Sequence, residues 1–68
     1  APELAQITIY NLAGQRVRQL LDDRLSAGKY TVSWNGLDDM GRPLASGVYL
    51  CRLQVGQQER TNKMLLVR

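Results

Sequence analysis

Apolar and polar residues alternate with a period of two along most of this chain, and that period belongs to half-buried strands. Between Ala5 and Tyr10, the residues Ala5, Ile7 and Ile9 fall on one side and Gln6, Thr8 and Tyr10 on the other. Asn11-Leu12-Ala13-Gly14 then reads as a turn, because Asn and Gly tolerate positive φ. Gln15 to Leu21 fits either two helical turns or a strand. A helix so short is marginal alone, and strand neighbours on both sides favour an edge strand carrying Arg16 and Arg18 outward. Asp22 to Ala27 is polar and reads as a loop closing on Gly28. Lys29 to Trp34 alternates most cleanly, with Tyr30, Val32 and Trp34 opposite Lys29, Thr31 and Ser33. Asn35-Gly36 and Asp38-Asp39-Met40-Gly41 are two turn signals, and Pro43 argues against a central strand beside them.

From Gly47 onward, Tyr49, Cys51, Leu53 and Val55 share one face and Val48, Leu50, Arg52 and Gln54 the other. Gly56-Gln57-Gln58 has the length of a hairpin connection, and Glu59 to Arg68 is the closing strand. Its apolar run Met64-Leu65-Leu66-Val67 is expected where both faces are covered or where a strand lies across an open edge. Short extra strands are expected near Leu12 and Leu44. Strands separated by turns at intervals of roughly ten residues predict a small antiparallel β-sandwich. Its thin seam is expected to hold Ile7, Ile9, Val17, Tyr30, Val32, Trp34, Tyr49, Cys51, Leu53, Leu65 and Val67.

The length of 68 residues confines this to one domain, and a chain of that size buries only about 60% of its unfolded surface. Hydrophobic residues at 44% and charged ones at 22% are interleaved, as in globular chains, and no apolar run is long enough for a spanning helix. The first twenty residues lack the basic start and apolar block of a signal peptide, so any export signal is expected upstream. Nine Lys and Arg against six carboxylates give net +3, but the basic residues are dispersed, which argues against a nucleic-acid partner.

Candidate chemistry is sparse. The chain has no histidine, the commonest general base, and its single cysteine excludes an internal disulfide. Cys51 falls on an apolar strand face and reads as a small buried hydrophobe. No nucleophile, base and orienting group come together in the pattern, so no enzyme is expected. Asp38 and Asp39, with Asn35 nearby, offer oxygen ligands of the kind calcium takes. Their spacing does not match an EF-hand loop, and turn-forming aspartates are the plainer reading. Trp34 and Tyr30 share the Val32 face and read as core rather than as a stacking platform for sugar or a nucleic-acid strand; Tyr10 is the aromatic expected to face outward. No metal or cofactor is therefore expected.

Five segments in order carry a family resemblance: Ile7 to Arg18; Ala27 to Gly36; Asp38 to Pro43; Ser46-Gly47-Val48-Tyr49-Leu50-Cys51-Arg52-Leu53; and Lys63-Met64-Leu65-Leu66-Val67-Arg68. Together they resemble the C-terminal sorting domain of type IX secretion cargo, and equally the related immunoglobulin-like domain of the flagellar hook-capping family. The chain departs from that pattern at Asn35, where Asp is more usual, and at Met40, where a polar residue is common. The resemblance implies a noncatalytic immunoglobulin-like β-sandwich over residues 4–68, after a residual linker at 1–3, at the end of a large exported protein. In the sorting branch it further implies recognition by outer-membrane secretion machinery, removal by a sortase-like peptidase, and passage through the periplasm to the cell surface. The signals map onto Gly28, Tyr30, Gly47, Val48, Tyr49, Lys63, Met64, Leu65, Leu66, Val67 and Arg68. Two physical readings of the final strand stand side by side: a paired strand with charged flanks that deter aggregation, or an easily peeled strand that a receptor grips by strand addition. The rival function is a structural, spacer or carbohydrate-binding module.

Overall fold

The computed structural model describes residues 3–26 and 33–67. Four strands, β1 (Glu3–Tyr10), β2 (Arg16–Leu25), β3 (Gly47–Val55) and β4 (Gln58–Leu66), form one antiparallel sheet in the order β2-β1-β3-β4. Two hairpins, β1–β2 and β3–β4, are thus joined through a central β1–β3 ladder that pairs Ala5 with Val55, Ile7 with Leu53 and Ile9 with Cys51. These pairs place the predicted apolar set on one face, where cross-strand packing stabilises the sheet. Ile9 is wholly buried and Ala5 and Tyr49 nearly so, which locates the core on the central strands. Beside them the apolar face carries a groove of about 400 Å³ bordered by Ile7, Leu21, Trp34, Leu53 and Met64.

The all-β antiparallel character agrees with the sequence pattern, and so do the turns read at Asn11, Asn35 and Asp38. Asn11 closes the first hairpin by accepting at Oδ1 from the N–H groups of Ala13 and Gln15, both at 3.0 Å, and Gly14 takes φ +83° there. Asn35 Oδ1 accepts from Leu37 N–H at 3.1 Å, so an asparagine builds this turn where the family pattern favours aspartate. In place of an extra strand near Leu44 there is a single bridge between Leu37 and Pro43, and Leu12 lies in a turn.

Several expectations need correction. Glu3, assigned to the linker, begins β1. Of the loop expected over Asp22 to Ala27, Asp22 to Leu25 are strand: β2 continues to Leu25, because β1 extends back to Glu3 and offers it a partner, with Gln6 Nε2 donating to Asp22 Oδ1 at 3.2 Å. The strand expected at Lys29 to Trp34, with Tyr30 and Val32, falls mainly on residues 27–32, outside the described residues; Ser33 and Trp34 are irregular. The described residues therefore supply one sheet of the expected sandwich. Leu65 and Val67 are not in the seam but 70% and 74% exposed. Leu65 pairs with Val48, on the face opposite Tyr49 and Cys51, and β4 is an edge strand among the described residues.

Candidate functional site

Among the described residues, the sorting-pattern positions Gly47, Val48, Tyr49 and Lys63 to Leu66 collect at one end of the β3–β4 hairpin. Gly56-Gln57 makes the two-residue turn, with Gly56 at φ +56° as a primed hairpin turn requires. From that turn the register runs to Tyr49–Met64, Val48–Leu65 and Gly47–Leu66. Two segments separated in the chain thus become direct neighbours. Val48 and Leu65 point to one face and are exposed, Met64 and Leu66 are half-buried, and Lys63 and Val67 are exposed. Gly28, Tyr30 and Arg68 lie outside the described residues.

Gly47 and Tyr49 serve the fold. Gly47 has φ +155° and open space where a Cβ would stand, so backbone conformation, and not close approach, calls for glycine. Tyr49 is 8% exposed; its hydroxyl donates to Ala45 C=O at 2.7 Å, and its ring meets Trp34 edge-on with centroids 5.4 Å apart. Trp34 Nε1–H donates to Leu37 C=O at 3.0 Å. The polar atom of each ring is thereby bonded to a carbonyl of the chain itself.

Asp38 and Asp39 act together as a tie between the 37–43 loop and the β2 edge. Asp38 Oδ1 accepts from Met40 N–H and Arg42 N–H, both at 2.9 Å, and Oδ2 from Arg42 Nε at 3.1 Å. Asp39 N–H donates to Val17 C=O at 2.9 Å while its Oδ1 accepts from Gln19 N–H at 2.9 Å, and Arg18 Nη1 donates to Asp38 C=O at 3.1 Å. The β1–β2 register shifts opposite Ile9–Tyr10, leaving Val17 out of the ladder and its carbonyl available to this loop. Both carboxylates are engaged by protein donors, so the turn and the tie to β2 give each of the two adjacent aspartates a structural role. Among the described residues no three acidic, His or Cys side chains cluster as a metal site would need. Met40 is 78% exposed, so its apolar side chain leaves the turn undisturbed. The tie was not legible in sequence, because Asp39 lies about twenty residues from its β2 partners.

The backbone N–H of Arg42, ahead of its guanidinium and the Met40 N–H, holds the Asp38 carboxyl below its usual 3.8, against the opposing effect of burial. A carboxyl lowered by folding contributes stability above its unfolded value and loses it as pH falls through the folded value. Asp38→Asn is therefore expected to flatten the acid limb of stability below about pH 4. Equilibrium unfolding at several pH values checks this, and parallel acid limbs for variant and parent would contradict it. Elsewhere, burial pushes the Cys51 thiol up, as suits a packing residue. Hydrogen bonds from Arg52 to Glu59, at 2.6 Å, and then to Tyr10 hold the Arg52 proton more tightly on the polar face.

Comparison with known proteins found no matching curated protein and no matching solved structure. One family model does match, the FlgD Ig-like domain, over residues 1–59, which takes in β1, β2, β3 and the start of β4. With its four antiparallel strands and that span, the chain belongs to the FlgD Ig-like domain family.

Proposed function

We propose that this Ig-like domain is a noncatalytic appendage by which an exported multidomain protein is addressed to type IX secretion machinery and then attached at the cell surface. One observation carries the reading: the register sets Gly47-Val48-Tyr49 directly against Met64-Leu65-Leu66, so that Val48 and Leu65, from segments of the sorting pattern far apart in the chain, form one patch on the face opposite Tyr49. Val48 and Leu65 give that patch an exposed apolar centre on an edge hairpin, a form suited to capture by a receptor. An outer-membrane translocon would read the patch, and a sortase-like peptidase would act on the junction with the upstream domains.

Fusing the chain to an inert reporter in a host with type IX secretion tests the reading. The expected result is reporter at the cell surface, with Leu65→Glu and Lys63→Ala retained in the periplasm; both side chains are exposed, so folding should survive. A folded parent fusion that stays periplasmic would sink the proposal. It would leave the structural or spacer role, which family membership supports by itself.

A further inference from the structure

The two sheet edges are treated differently. The β2 edge is partly closed by the Asp39 bonds to Val17 and Gln19, whereas no strand among the described residues pairs with the outer edge of β4. The hairpin fixes which β4 groups face outward. Val55 and Gln58 flank the two-residue turn as its hydrogen-bonded closing pair, and bonded and non-bonded pairs alternate from there. Arg60 and Asn62 consequently exchange bonds with β3, while Glu59, Thr61 and Lys63 direct their backbone N–H and C=O groups away from the sheet. The side chains of those three residues share one face, and all are exposed.

We propose that β4 pairs antiparallel with β4 of a second copy of this chain, about a two-fold axis through Thr61. Charge selects that register. With the axis at Thr61, Glu59 of each copy stands opposite Lys63 of the other, Thr61 opposite Thr61, and Arg60 opposite Asn62. An axis through Glu59, Arg60 or Lys63 sets identical charges against each other, and one through Asn62 leaves Glu59 facing Leu65. Scattered charges on an edge strand ordinarily repel a second edge. Here their order is self-complementary, and the pairing is isologous and closed, giving a dimer with one continuous sheet. Glu59 already accepts from Arg52, and a carboxylate has lone pairs for a further donor. The inference does not rest on the secretion reading and uses neither Val48 nor Leu65.

Sedimentation velocity on the 68-residue chain at low salt, across a wide concentration range, tests it. The parent should dimerise, less so as salt rises. Lys63→Glu and Glu59→Lys should each weaken the dimer by about tenfold, since two attractive pairs become repulsive. Mixed in equal amounts, the two variants should form a heterodimer in which every Glu faces a Lys. Thr61→Pro, which removes an outward N–H and spares the bonds to β3, should abolish dimerisation. Circular dichroism establishes that each variant is folded, and the charge pair decides the matter if the proline variant is not. A parent that stays monomeric at millimolar concentration overturns the proposal. So does a folded Thr61→Pro that still dimerises, or a variant mixture that forms no heterodimer.

Discussion

Replacing Ile9 with alanine is expected to cost the fold about 3 kcal/mol, within the range for truncating a fully buried branched side chain. Ile9 is 0% exposed, sits on a central strand, and pairs with Cys51 on one side and Arg18 on the other. Its side chain is wholly enclosed, so truncation forfeits the transfer free energy of the removed atoms and leaves a cavity behind. A domain of this size holds only a few kcal/mol in total, so the variant should be largely unfolded at room temperature. Urea unfolding followed by far-ultraviolet circular dichroism reads the effect. A midpoint unmoved from the parent would mean that the core lies elsewhere. By contrast Leu65→Ala, at a 70% exposed position, should shift the midpoint little.

The second large effect is expected at Tyr49, where two substitutions separate two contributions. Tyr49→Phe keeps the ring and loses the 2.7 Å hydrogen bond to Ala45 C=O, at a cost of about 1 kcal/mol. Tyr49→Ala also removes the ring that meets Trp34 at an interplanar angle of 75°, and should cost about 3–5 kcal/mol. Trp34 is the only tryptophan, so its emission reports the loss directly. A red shift is expected for Tyr49→Ala and little change for Tyr49→Phe. Equal destabilisation by both would assign the stability to the hydroxyl alone.

Much of the sheet was legible because period-two alternation records which face a strand buries. It worked for β1 and β3, where Ile7, Ile9, Cys51 and Leu53 lie on the apolar face as read. It failed where pairing and local composition disagree. Asp22, Asp23 and Arg24 carry no apolar signal, yet they extend β2 because Gln6, Ala5 and Leu4 lie opposite them. In Met64-Leu65-Leu66-Val67 the continuous run hides the alternation altogether. Only the pairing of Leu65 with Val48 reveals which residues face outward, and pairing is a long-range fact. The candidate site divides in the same way. That Asp38 and Asp39 would build a turn follows from local side-chain bonding, while their hold on Val17 and Gln19 depends on where the fold brings β2.

The direction of the strands has a mechanical consequence. Because β3 runs against both its neighbours, β1 and β4 are parallel in direction, and their outer termini lie at opposite ends of the sheet: Gly56 N–H donates to Leu4 C=O at one end, while Leu66 pairs with Gly47 at the other. Tension applied between Glu3 and Leu66 therefore pulls along the strands and slides the ladders lengthwise, so that their bonds share the load instead of opening one after another. Single-molecule stretching should meet one high rupture force, and a staircase of small yields would tell against it. A module built in this way can transmit pull along a chain without itself giving way.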